Sequence, residues 1–243
     1  MIPAPDRSKQ VVIIGVIGKS HLDASNRDNQ ALLFTAHRIG QLIAQRGAIV
    51  LTGGHHAVWE NSVKHYALLG ALAAANYGLS ARLIGILPEA ISSMISTNVD
   101  RHVECIDLTD PKRCCVYVHT QLESSERDVK TGATVDVMIA LRGRSGTSRE
   151  AAATLKAKRP VVFLNSWRVL ERAILEQMGD QNSVSEAREA RRIVEVSSAG
   201  EAVDQALTLA DLTRTAVYPD DPDTPKDPVV VAAREAIERL RRS

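Results

Sequence analysis

The chain has 243 residues, long enough for one large α/β domain with its own core. A formal charge of +1 argues against a dedicated nucleic-acid binder, and 3% aromatic residues leave little for a base-stacking platform. No apolar run approaches the roughly 20 residues that span a bilayer, so no membrane partner is expected.

Residues 1–10 carry no apolar signal region, which leads to the expectation of a cytoplasmic protein. The apolar run 11–16 reads as a central parallel strand. The loop after it, Gly15-Val16-Ile17-Gly18-Lys19-Ser20, ends like a P-loop. That motif needs a glycine at position 13, where the chain has Ile13. Gly18, Lys19 and Ser20 stay candidates for a phosphate contact, because they form a glycine loop with a cation and a hydroxyl at a strand's end. A helix capped by Asp28 or Asn29 follows, with Leu32, Ile39 and Ile43 on one face and Gly47 closing it.

Residues 48–52 form the next strand, which opens into Gly53-Gly54-His55-His56. A dinucleotide-binding fold offers an acidic residue near this point for the ribose. None is there, so NAD and FAD are not expected. His55 and His56 have no carboxylate or cysteine at ligand spacing, so they read as solvated or in contact with an anionic ligand, with no metal. A long helix is expected over 58–77, ended by Gly78, and then a strand over 82–87 with Pro88 as its stop. Residues 103–106 read as a short edge strand and 114–119 as another. Cys105, Cys114 and Cys115 have neither zinc spacing nor the pattern of a disulfide framework. A helix opens at 124–128 and ends near Gly132.

The stretch 135–164 organises the chain. An apolar strand, 135–141, leads into the polar loop Arg142-Gly143-Arg144-Ser145-Gly146-Thr147. A short helix marked by Ala151, Ala152 and Leu155 follows, and 161–164 is a second buried strand. Such units build parallel sheets. The loop meets the start of its helix, where backbone N–H groups and the helix dipole favour an anion. Thr147-Ser148-Arg149-Glu150 has the spacing of a capping box, with Thr147 as cap and Glu150 reaching back. Gly143 and Gly146 let the backbone approach a ligand, and Arg144 adds a fork for phosphate oxygens.

Beyond it come a helix over 169–178, a polar excursion over 180–192, a strand over 193–196 and a helix over 198–212. The chain divides into a ligand-binding domain, 1–217, a linker, 218–228, with four prolines and four aspartates, and an amphipathic helix, 229–243. The expected fold is α/β, a doubly wound and mostly parallel sheet of about seven strands with helices on both faces. Its loops near Gly18, Gly53 and Gly143 gather at the carboxyl edge.

Gly143-x-x-Gly146-Thr147-x-x-Glu150, directly after an apolar strand, resembles the P-G-G-x-G-T-x-x-E motif. It marks a Rossmann-like superfamily of Lonely Guy-type phosphoribohydrolases, often mislabelled lysine decarboxylases, and molybdenum cofactor carrier proteins. Arg142 stands in place of its proline and Arg144 in place of its second glycine. Residues 53–60, GGHHAVWE, look like the G-G-x-x-G-V-M-E signature of the carrier branch, with Ala57 and Trp59 departing from it. The run IGILPE, 84–89, is similar to the superfamily at that place, and Arg127-Asp128 falls where it has an Arg-Asn pair.

The residues and the resemblance together give a candidate pocket of Gly18, Lys19, Ser20, Gly53, Gly54, His55, Glu60, Arg127, Gly143, Arg144, Ser145, Gly146, Thr147 and Glu150. The resemblance implies a carrier-like protein that binds a phosphate-bearing small molecule, a nucleotide or a molybdopterin-type cofactor. The alternative is a hydrolase that cuts the N-glycosidic bond of a nucleoside 5′-monophosphate, with Arg127 and Glu150 as its catalytic pair. The resemblance also implies a homodimer or homotetramer.

Overall fold

A computed structural model describes residues 11–53, 61–87, 103–107, 113–120 and 122–215. The linker 218–228, the helix 229–243, Gly54, His55, His56 and Glu60 lie outside the described residues. The strands are β1 Ile13–Ile17, β2 Ile49–Thr52, β3 Ala81–Leu87, β4 Val103–Asp107, β5 Arg113–His119, β6 Val137–Ala140, β7 Val161–Leu164 and β8 Ile193–Val196. The helices are α1 Arg27–Gln45, α2 Val63–Ala75, α3 Ser124–Thr134, α4 Ser145–Lys156, α5 Trp167–Met178, α6 Gln181–Glu189 and α7 Ala199–Thr215.

The eight strands form one sheet in the order β4-β5-β3-β2-β1-β6-β7-β8. Seven of them run parallel, and β4 pairs antiparallel with β5 at the edge. This is the doubly wound, Rossmann-like α/β architecture. Strands such as β1, β2 and β6 are buried along their whole length, which is why they read as unbroken apolar runs. Side chains still alternate between the faces. Ile14 and Val16 join a core with α1, α2 and α7, while Ile13 and Ile17 join a second core with α4, α5 and α6.

From β1 the chain steps outward through β2 and β3, then returns to lay β6 on the other side of β1. The order of strands therefore reverses between β1 and β6. In open parallel sheets the crevice at the carboxyl end of such a reversal is where ligands bind. Two backbone bonds tie the loops there together, Leu141 N–H to the Ile17 carbonyl and Lys19 N–H to the Arg142 carbonyl, both 2.9 Å.

Three local expectations are corrected. α1 starts two or three residues earlier than expected, capped by Asn26, whose side chain accepts from the N–H groups of Asp28 and Asn29. α2 starts at Val63 behind a Ser62 cap, five residues later than position 58. Residues 180–192 are no excursion. Asp180 caps α6 through Ser183, Val184 and Ala187 are buried, and the Arg188 guanidinium lies 4.9 Å over the Trp167 ring. Gly47 and Gly78 end α1 and α2 as expected. Both adopt positive φ, the conformation that glycine takes without steric cost.

α1 and α2 lie close because each presents a glycine to the other. A β-carbon on Gly40 would overlap the Ala67 carbonyl, and one on Gly70 would overlap the His37 carbonyl. α3 and α4 meet in the same way, where Gly132 lies against the Glu150 carbonyl. That second contact carries Arg127 of α3 to Glu150 of α4.

Candidate functional site

At the reversal point, the loop after β1, the starts of α2 and α4, and the first turn of α3 surround a cavity of about 270 Å³. Five cations line it, Lys19, Lys64, Arg127, Arg144 and Arg149, against one carboxylate, Asp128. Gly18, Ser20, Ser124, Ser145, Gly146 and Thr147 complete the wall. The first turn of α4 lines it and has no side-chain cap from Arg144, so dipole and side chains favour the same sign of guest.

Beneath the cavity lies a buried charge cluster. Lys64 Nζ donates to Glu150 Oε1 at 2.8 Å, and Arg127 Nη1 donates to the same oxygen at 3.3 Å. Arg127 and Glu150 are essentially inaccessible, and Lys64 is buried. Glu150 Oε2 is buried without a hydrogen-bond partner among the described residues. Arg127 Nη2 reaches Asp128 Oδ1 at 3.2 Å, and Asp128 Oδ2 accepts from Arg149 Nε and Nη2 at 3.2 and 3.0 Å. Asp128 Oδ2 also faces Gly146, so this carboxylate sits at the N-terminal turn of α4.

Burial pushes the Glu150 carboxyl above its ordinary value, against the pull of the Lys64 ammonium. Burial pushes the Lys64 ammonium below its ordinary value, and Glu150 opposes this in turn. Both shifts favour the neutral form, because desolvation outweighs the mutual attraction of the pair.

The structure brings Gly18, Lys19, Ser20, Arg127, Arg144, Ser145, Gly146 and Thr147 together around the cavity. Gly53, Gly143 and Glu150 stand behind its wall. Gly53 is the floor under the cluster, since a β-carbon there would overlap the Arg127 guanidinium and press on Lys64. Gly143 packs against the Thr147 side chain. The capping box expected at Thr147 and Glu150 is absent. α4 begins at Ser145 with Arg144 as its cap residue, and Glu150 turns inward to Lys64. Arg144 adopts φ −128°, an extended conformation open to any residue, so its β-carbon costs the loop nothing.

Lys64, Ser124, Asp128 and Arg149 line the cavity without having been among the candidate pocket residues. Lys64 had a legible signal, because it shares a stripe of α2 with Ala67, Leu68, Ala71 and Ala75, all buried. A lysine in such a stripe requires a buried partner.

A model of the SLOG cluster4 family matches residues 11–199. The chain belongs to the SLOG cluster4 family. Comparison with curated proteins gives no match. Among solved structures, this SLOG chain is similar to the Moco carrier protein from Chlamydomonas reinhardtii, with 25% identity and a TM-score of 0.56. The likeness covers 84% of this chain and 99% of that one. It is similar too to the molybdenum cofactor binding protein from the phototrophic bacterium Rippkaea orientalis, with 26% identity and a TM-score of 0.56, over 82% of this chain and 97% of that one. Among the described residues, no helix of this SLOG protein is long and apolar enough to cross a membrane.

Proposed function

We propose that this chain binds a phosphate-bearing small molecule, a nucleotide or a molybdopterin-type cofactor. The observation that carries the reading is the cavity at the start of α4, where five cations face one carboxylate. Charge-assisted bonds from arginine and lysine, with backbone N–H groups at a helix start, are what a phosphate monoester requires. The similarity to molybdenum cofactor binding proteins supports a cofactor-sized guest. The cation set fits the phosphate end of such a cargo.

Arg144 tests the reading, because it is exposed at the rim and caps nothing with its side chain. Arg144→Ala is expected to weaken AMP binding by roughly 1–3 kcal/mol, the scale of a charge-assisted hydrogen bond. Calorimetric titration of wild type, Arg144→Ala and Arg144→Gly reads this directly. Tighter binding in Arg144→Gly would mean that the arginine blocks the cavity, and equal affinity in all three would place it outside the site.

The hydrolase reading keeps one observation in its favour, the buried Glu150 Oε2 without a partner. Against it, Glu150 lies behind Lys64 and Arg127, which hold its other oxygen. Release of free adenine from AMP by wild type, lost in Glu150→Gln, would replace binding by hydrolysis as the function.

We place the protein in the cytoplasm as a homodimer or homotetramer, with 218–228 as a linker to a helix over 229–243. The exposed Leu69 of α2 and Tyr77 in the turn after it support self-association through this face. Sedimentation at micromolar concentration is expected to show a species larger than one chain. A monomer alone would remove this part of the reading.

A further inference from the structure

A second cavity, of about 770 Å³, opens on the other side of the β1–α1 loop. It lies at the carboxyl ends of β1, β6, β7 and β8, between the starts of α1 and α7. Its volume falls in the range of ligand pockets, roughly 300–1,000 Å³, while the phosphate cavity falls below that range. The small cavity supplies the cations, and the larger groove supplies the space for the body of a cofactor-sized ligand.

Lys19 lines both cavities. Its backbone N–H bonds to the Arg142 carbonyl, so the ridge at Lys19 is tied to the loop after β6. Across that ridge the groove presents Arg142 and Arg38 against one lining carboxylate, Asp28. Phe34 stands on its α1 wall, 76% exposed. A phenylalanine ring left in water among cations suits a planar heterocycle that carries negative charge.

We infer that one ligand spans both cavities. Its terminal phosphate sits at the start of α4, a second anionic group crosses the ridge at Lys19 and Arg142, and an aromatic heterocycle stacks on Phe34. The ligand class is a heterocycle with two anionic groups, of the nucleoside diphosphate type. This rests on the binding reading above and adds to it the position of the ring and the need for a second anion.

The test uses the full chain and calorimetric titration with pyrophosphate, AMP and ADP. ADP is expected to bind wild type about tenfold more tightly than AMP. Phe34→Ala is expected to weaken ADP about tenfold, the scale of one base–aromatic stack, with pyrophosphate unchanged. Arg142→Ala is expected to weaken ADP more than AMP. Equal affinity for ADP and AMP, or an ADP affinity untouched by Phe34→Ala, would overturn the inference. If pyrophosphate itself fails to bind wild type, or binds Arg149→Ala equally well, the phosphate cavity is wrong as well. The two failures are thus separate. Phe34 is exposed, so its replacement leaves the core intact, and an unchanged unfolding midpoint confirms that the variant is folded.

Discussion

Glu150→Ala lowers the stability of the folded chain by about 3–5 kcal/mol, because it strands two buried cations without their shared counter-charge. Lys64 Nζ and Arg127 Nη1 both end on Glu150 Oε1, and neither side chain reaches water easily. For a domain of this size that is a fall in Tm of roughly 6–20 °C. Thermal unfolding of the variant measures it, and a fall under about 2 °C would show that the cations find other partners. The double variant Lys64→Met/Glu150→Leu separates the pair from its parts. It leaves Arg127 with Asp128 at 3.2 Å and is expected to recover most of the loss.

The signs of the pKa shifts lead to the same result. The Glu150 carboxyl is raised, so its contribution is complete below the ordinary carboxyl pKa and is lost as pH rises through the raised value. The Lys64 ammonium is lowered, so its contribution is complete above the ordinary ammonium pKa and is lost as pH falls through the lowered value. Both shifts run against the charged forms, so removing the two charges together costs less than removing one.

Gly70→Ala is expected to cost about 2–3 kcal/mol, even though alanine is the better helix former by about 1 kcal/mol. A β-carbon at Gly70 overlaps the His37 carbonyl of α1, and backbone cannot turn aside as a side chain can. Gly40→Ala repeats the conflict from the other helix, at the Ala67 carbonyl. The two together cost less than their sum, since the helices separate only once. Gly200→Ala is the control. Nothing lies within 4 Å of its new carbon, and the change is expected to be neutral or stabilising by up to about 1 kcal/mol. Urea unfolding of the three single variants gives the comparison. Equal midpoints for Gly70→Ala and Gly200→Ala would mean that α1 and α2 slide apart freely.

What could be read in advance depended on how far apart the interacting residues lie in the chain. β1, β2 and β6 were legible because burial on both faces writes an unbroken apolar run. α6 was not, because only Val184 and Ala187 of that helix are buried. At the candidate site, Lys19 stands in a glycine loop, and Arg144 and Gly146 stand where a glycine loop meets a helix start, which local pattern exposes. The role of Glu150 could not be read locally. Its spacing from Thr147 fits a capping box, but its partner Lys64 lies 86 residues away, and that contact wins. Gly53 looked like a backbone made for a ligand, whereas its missing side chain makes room for Arg127.

Asp128 gives the cavity a tethered occupant. Its carboxylate already rests on Arg149 and faces Gly146 at the start of α4. Under the binding reading, an arriving phosphate competes with an anion that cannot diffuse away and so acts at high effective concentration. Affinity is lower than the cations alone would give. In return, Arg127 and Arg149 keep a counter-charge when the cavity is empty. Under that reading, the tethered carboxylate favours release of the guest to a tighter acceptor, which suits a courier better than a store.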